Sequence, residues 1–379
     1  MSNSCLIIAG EKSGEEHCLS FLSSLQKITP DTKYFGVGGD DMAHHGFENI
    51  YHLKDFSGWG YSGVIGKLPF YLQAMKRIEM EVVKRKCQVA ILIDFQTFNL
   101  KLAGRLSALG VKVLYYVAPQ AWAWKQYRVK KLAQSVHTLF TIIPFEKEWF
   151  QSRGVKRVIS IDHPVWKHFQ NNQEYLESQK RDRSFSNLSQ PTRLLILPGS
   201  RNFEVMELLP EFLGAVKKLR QHHQLQISLV RSPNVSPHLY LRAESMVDHF
   251  YSSEQLATAL KQSDLALAAS GTVTLTTALF QVPTVVCYQT SLLNKWIYET
   301  FVDYNGFISL ANIVLEEELF PELVGEQATS YNMFQALNKW LSNGESWNRV
   351  QQGLQKIPQV VGGEMPQIEN YLAQQIMEE

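Results

Sequence analysis

Cysteine is scarce in this 379-residue chain: Cys5, Cys18, Cys87 and Cys287, with no CxxC pair. That spacing argues against a zinc site and suits reduced thiols in a cytoplasmic protein. No apolar run approaches the ~18 residues that span a bilayer. The N-terminus has no basic segment followed by a long apolar stretch, so no signal peptide is expected. Formal charge is nearly balanced, at +1, which excludes a strongly basic nucleic-acid binder on bulk grounds. Neither an internal repeat nor a low-complexity tract is evident. What remains is an ordinary globular composition, 45% hydrophobic and 19% charged. The chain is too long for one typical core, so two domains are expected.

The most informative stretch spans 194–206. Leu194 to Leu197 reads as a buried strand, Pro198-Gly199-Ser200 as a tight loop, and Glu204 onward as a helix with Asn202 as N-cap. Such a turn leaves free backbone N–H groups at the positive end of a helix dipole, where a phosphate belongs. Arg201 can grip its oxygens; a plain βα turn with a surface arginine is the other reading. Leu265 to Ala269, then Ser270-Gly271-Thr272, repeat the pattern about 70 residues later, room for two intervening βα units of ~30 residues. Two such turns in one parallel sheet can clamp a diphosphate.

Similar strand–turn–helix units open the chain. Apolar runs at 5–9, 34–39, 89–94, 111–117 and 138–143 precede those at 194–197, 225–230, 265–269 and 283–288. The fold class is therefore α/β, with two doubly wound parallel-sheet domains facing a cleft. The first is expected over 1–164, completed by 350–379. Polar residues 165–193 read as a linker and 194–349 as the second domain. Strand ends carry the ligands in such folds, which brings forward Glu11, Ser13, Glu15, Asp94, Asn99 and His163 in the first domain. Gly38 and Gly39 permit close approach of a ligand or another backbone. Base candidates for group transfer are Asp94, Glu11, Glu15 and His163. Each also has a structural reading: Asp94 as a helix cap, His163 as a packed junction residue, the glutamates as charges on a first helical turn. Arg201 and the two helix starts supply positive charge for a leaving diphosphate without a metal.

Two patches suit a membrane. Leu68, Leu72, Met75, Ile78 and Val82 fall at helical spacing, flanked by Lys67, Lys76, Arg77, Lys84, Arg85 and Lys86. This fits a basic amphipathic helix on an anionic surface, or a core-facing helix with a solvated cationic face. Trp122 and Trp124, beside Lys125, Arg128, Lys130 and Lys131, suit a lipid interface, a sugar-stacking wall or a buried anchor.

Six motifs then occur in one order: Gly10-Glu-Lys-Ser-Gly14; Gly36-Val-Gly-Gly-Asp-Asp-Met42 with Gly46; Tyr115-Tyr-Val-Ala-Pro-Gln-Ala-Trp-Ala-Trp-Lys125 with Arg128-Val129; Leu197-Pro-Gly-Ser-Arg-Asn-Phe-Glu-Val205; Ala269-Ser-Gly-Thr-Val-Thr-Leu275; and Pro321-Glu-Leu323. Together they resemble, over almost the whole chain, the lipid-A-disaccharide synthases, inverting glycosyltransferases of the two-domain GT-B fold. The resemblance implies a UDP-2,3-diacylglucosamine donor, an acylated glucosamine phosphate acceptor (lipid X), a β(1→6) link and release of UDP. It implies no cofactor, and a cytoplasmic protein peripheral on the inner membrane, with Leu72, Met75, Arg77, Trp122 and Trp124 toward lipid. UDP contacts would fall on Gly199, Ser200, Arg201, Ser270, Gly271, Thr272 and Thr276, and acceptor contacts on Ser13, Gly38, Gly39 and Asn99.

The chain departs from the family pattern at defined positions. Asp-Ala-Pro-Asp-Phe-Asn becomes Asp94-Phe95-Gln96-Thr97-Phe98-Asn99, with Thr97 where the family's proposed base stands. Glu15 replaces an Asp, Thr276 a Glu suited to ribose, Gly325 a Gln near the donor, and Asp162 a Gly before His163-Pro164. Trp59-Gly60-Tyr61-Ser62-Gly63 lacks the family's glutamate. Threonine is no base at neutral pH, so the role falls to Asp94, Glu15 or Asp162. Two alternatives are a UDP-sugar enzyme with a different acceptor and an inert paralogue that binds nucleotide or lipid.

Overall fold

The computed structural model describes residues 3–56, 68–289 and 306–378; the 59–63 motif and Lys67 lie outside them. Two units emerge, Met1–Asp162 with Gly363–Glu379, and His163–Gly362.

In the first unit, β1 (Ser4–Ala9), β2 (Lys33–Gly38), β3 (Glu48–His52), β4 (Val89–Ile93), β5 (Lys112–Tyr116), β6 (Thr138–Thr141) and β7 (Val158–Ser160) form one sheet. Its order is β3-β2-β1-β4-β5-β6-β7, parallel at every pairing. Both faces are covered, which explains the unbroken apolar runs. Leu6 and Ile8 join one core with Leu92 and Ile78; Cys5, Ile7 and Ala9 join the other with Phe21 and Leu372.

In the second unit, β8 (Thr192–Leu197), β9 (Leu225–Arg231), β10 (His249–Ser252), β11 (Leu265–Ala269), β12 (Thr284–Tyr288) and β13 (Glu322–Val324) are ordered β10-β9-β8-β11-β12-β13, again parallel. Each sheet therefore has one point where strand order reverses, between β1 and β4 and between β8 and β11. Loops leave such neighbours in opposite directions and open a crevice at the strand ends.

The boundaries differ from the sequence expectation. Unit 2 begins at His163, and the expected linker 165–193 belongs to it. The helices Pro164–Phe169 and Gln173–Ser178 turn Phe169 and Tyr175 onto Phe280, with ring centroids 5.3 and 5.6 Å away. These few aromatic anchors outweigh the polar composition. The helix Gly344–Val360 also stays in unit 2, its Trp347 indole donating to the Arg183 carbonyl at 2.7 Å. The chain returns to unit 1 only at Gly363. There a side chain would collide with the Ile161 backbone at 2.2 Å, and the helix Ile368–Met377 supplies Leu372 to that core.

Candidate functional site

In unit 2 the register pairs Leu197 with Ala268, so the turns after β8 and β11 emerge side by side. They share a cavity of about 360 Å³, lined by Gly199, Ser200, Arg201, Ser270, Gly271 and Thr272, with Ser232 and Ser253 from the neighbouring strand ends. Gly199 has φ +112°, and a side chain there would meet the Glu204 carboxylate at 2.5 Å; the turn requires glycine.

Three details correct the sequence reading. Asn202 is not the cap: its Oδ1 accepts from Ser236 N at 2.9 Å, and Arg201 occupies the N-cap position. The turn amides are not free. Glu204, one turn into the helix, accepts from Ser200 N (2.9 Å) and Arg201 N (3.3 Å), and pairs with Arg201 Nη1 at 2.6 Å. Arg201 nonetheless lines the cavity with a side chain 69% exposed. Thr276 is not among the residues lining the cavity. It is buried, with its hydroxyl directed at the Thr272 carbonyl one turn back. Ser270 presents its hydroxyl to Ile308 O at 2.9 Å and its N–H to Cys287 O.

In unit 1 the corresponding crevice carries carboxylates. Ala9 and Ile93 are register partners, and Glu11 and Asp94 follow them. Burial pushes the Asp94 carboxyl above the usual range, and the Phe95 N–H partly offsets this. Glu11 is also raised, first by desolvation and then by the charge of Asp94. Asp94 and Phe95 both adopt φ +45°, a left-handed conformation that costs roughly 1–3 kcal/mol per non-glycine residue. Surrounding groups hold it. Asn99 donates to Ile93 O (3.1 Å) and Asp94 O (2.8 Å), Tyr115 donates to Asp94 O (3.2 Å), and Phe95 lies against Gly10, where a side chain would come within 2.5 Å. Asn99 is fully buried, so it braces the turn and is not placed for an acceptor contact. Thr97 is exposed on the first turn of the helix Gln96–Ala108.

An aromatic group that the sequence reading missed adjoins this turn. Phe56 lies 5.2 Å from Phe70, 5.9 Å from Tyr71, 5.8 Å from Phe95 and 5.2 Å from Phe98. Burial and then the charge of Glu11 raise the pKa of the Tyr71 hydroxyl. The rings come from three separate segments, so no local pattern announces them.

Other candidates have structural duties. Glu15 is buried, accepts from Met42 N at 3.2 Å and pairs with Lys12 at 2.8 Å, an anchor of the β2 turn and not an available base. Gly38 and Gly39 are small for neighbouring side chains: added Cβ atoms would meet Met42 Sδ at 2.8 Å and Glu15 Oε1 at 2.3 Å. Ser13 is exposed on the first turn of the helix Lys12–Ile28. His163 belongs to unit 2, where its Nδ1 caps the helix Pro164–Phe169 by accepting from Val165 N at 3.2 Å. That ring nitrogen is engaged as a cap, which displaces the base reading.

Trp122 is a buried anchor and does not face lipid. Its indole donates to Glu146 at 2.9 Å, and burial lifts that carboxyl to about 7. Trp124 is half-buried, with Lys125 4.0 Å and Arg128 5.1 Å from its ring. In the helix Leu68–Lys84, Met75, Ile78 and Val82 face the core, correcting the lipid-facing reading of Met75. Arg77 lies 5.1 Å from the Tyr51 ring. Leu68, Leu72, Met80 and Val83 are exposed on an adjoining face. Among the described residues no helix is long and apolar enough to cross a membrane.

Comparison with known proteins matches residues 5–376 to the family described as lipid-A-disaccharide synthetase. The chain is 32% identical over 352 residues to a lipid-A-disaccharide synthase of Myxococcus xanthus, covering 92% of this chain and 91% of the relative. It is 31% identical over 357 residues to one of Francisella philomiragia, covering 93% of each. Solved structures share the fold at low identity. A glycotransferase of kitacinnamycin has TM-score 0.60 at 12% identity, covering 99% of this chain and 100% of that one. An S. aureus MnaA–UDP complex has TM-score 0.59 at 11% identity, covering 100% and 99%.

Proposed function

Because this chain belongs to the lipid-A-disaccharide synthetase family, it is a GT-B hexosyltransferase of lipid A biosynthesis, and we propose how its residues divide the work. The donor is UDP-2,3-diacylglucosamine and the acceptor is lipid X. One observation carries the donor side: β8 and β11 are neighbours, so Gly199–Arg201 and Ser270–Thr272 open on the same cavity. The UDP diphosphate binds there. Arg201 turns part of its hydrogen bonding from Glu204 to the phosphate oxygens and takes up charge as UDP leaves. This division assigns the charge to protein groups and calls on no metal.

Asp94 is the base. The acceptor hydroxyl attacks the sugar C1, its proton passes to the Asp94 carboxylate, and the bond to the diphosphate breaks. A carboxyl raised by burial holds a proton more readily than an ordinary one, and Thr97 cannot perform the task. Glu11 is the second carboxylate of the pair. The partly buried rings of Phe70, Tyr71 and Phe95, packed over the buried Phe56, give the acyl groups an apolar wall. The Thr97 substitution favours one further reading, the same donor with a different acceptor.

The protein lies on the cytoplasmic face of the inner membrane through the exposed side of the helix Leu68–Lys84. Leu72 (46% exposed) and Met80 (64% exposed) stand there beside Lys76 and Lys84. The deciding assay measures UDP release from the diacyl donor with lipid X, for wild type, Arg201→Ala and Asp94→Asn. A wild type that binds UDP yet releases none would sink the reading.

A further inference from the structure

At the opposite end of the unit 2 strands from the cavity, three guanidinium groups gather around one carboxylate. Asp264 immediately precedes β11, and its side chain is 2% exposed. Its oxygens are already filled: Arg193 donates from its backbone N (2.8 Å), Nε (3.3 Å) and Nη2 (3.3 Å), Ser189 from its hydroxyl (3.2 Å), and Arg181 from Nη2. Arg181 Nη1 also donates to Ser263 O at 2.9 Å.

Arg183 is the third cation and is 9% exposed. Its Nη1 donates to Ser263 O at 3.1 Å, while its Nε and Nη2 are buried with no hydrogen-bond partner. Its backbone is fixed by the Trp347 indole. Burial and the neighbouring Arg181 push its pKa down to about 9, the response of a cation short of negative charge.

The two unpartnered donors are not an arbitrary pair. Nε–H and one Nη2–H point the same way along one edge of the guanidinium, the fork that takes two oxygens of a carboxylate or phosphate together. Arg193 already uses this same edge on Asp264. Three cations share one carboxylate, and Arg183 among them is buried, where uncompensated charge is costly. A buried donor pair of fixed spacing beside excess positive charge has one natural complement. We infer that the Nε–Nη2 edge of Arg183 binds a small oxyanion of the phosphate class, at a site separate from the nucleotide cavity. The ion would tie the 181–193 segment to the start of β11.

Inorganic phosphate is the probe. Full-length protein is unfolded thermally in rising phosphate, with chloride holding ionic strength constant, in the Arg201→Ala background so that the nucleotide cavity does not respond. The expected result is a midpoint that climbs with phosphate and stays flat when Arg183→Gln is added. A climb that survives Arg183→Gln, or no climb before it, overturns the site. Should Arg183→Gln fail to fold, crystals of the wild type grown in selenate decide the matter. An anomalous peak within hydrogen-bond distance of both Nε and Nη2 supports the site, and water alone at that edge overturns it. Glycerol 3-phosphate, run in parallel, separates sources: equal stabilisation assigns an esterified phosphate, and its exclusion assigns the free ion.

Discussion

The two strand-order reversals share a topology and differ in chemistry. Between β8 and β11 the turns carry small residues and one arginine around an open cavity. Between β1 and β4 they carry Glu11 and Asp94, a strained backbone and a group of aromatic rings. Topology supplies a crevice in both cases; the turn residues decide what it holds. A diphosphate needs donors and positive charge. An acceptor hydroxyl needs a carboxylate willing to take a proton. The carboxylates follow strands of one sheet and the arginine follows a strand of the other.

The largest expected effect comes from breaking the carboxylate side. Asp94→Asn should lower kcat by roughly 10²–10⁴-fold, the usual worth of a general base, while UDP affinity measured by calorimetry stays unchanged. The same substitution should raise stability at neutral pH. The folded pKa of Asp94 is raised by burial, so its contribution to stability is fully present below the unfolded pKa and is lost as pH rises through the folded one. Asparagine removes that loss and also tolerates left-handed backbone. Chemical unfolding at pH 5 and pH 8 checks the sign, and a variant less stable than wild type at pH 8 would contradict it.

Next comes the cationic side. Arg201→Ala should weaken UDP binding by on the order of 2–4 kcal/mol, because a charge-assisted contact to the diphosphate is lost. An unchanged dissociation constant would erase the distinction between the two crevices. Gly39→Ala tests whether the β2 glycine serves packing. The new methyl meets the Glu15 carboxylate at 2.3 Å, so a loss of about 1–3 kcal/mol is expected in urea unfolding, with the UDP affinity of unit 2 intact. The smallest effect is reserved for the surface. Leu72→Ser should leave folding unchanged within ~0.5 kcal/mol but reduce sedimentation with vesicles containing anionic lipid. Equal sedimentation would remove this helix from the membrane reading.

How much of this was legible beforehand follows a physical line. The interior strands β1, β2, β4, β5, β6, β8, β9, β11 and β12 were evident as apolar runs because helices cover both faces of a parallel sheet. The strands without such runs, β3, β7, β10 and β13, are the four sheet edges. Edge positions are partly solvated, and Glu48–His52 or His249–Ser252 carry no unbroken apolar signature. Six residues that line the unit 2 cavity were legible, since strand, small-residue turn and helix lie contiguously in sequence. Thr276 was not excluded by any local signal; its hydroxyl turns inward because the helix bearing it packs on that side.

The sequence alone determined the fold class, the two strand–turn–helix units and the arginine that follows the first turn, since each is written in consecutive residues and follows from local backbone physics. Only the tertiary structure decided that Glu15, Asn99, Trp122 and His163 serve as anchors, braces and caps while Asp94 stands beside Glu11 with a raised carboxyl. Those roles depend on which distant groups share a buried volume. A carboxylate facing water, a backbone amide or another carboxylate reads identically in one dimension, and burial with its partners makes it an anchor or a base.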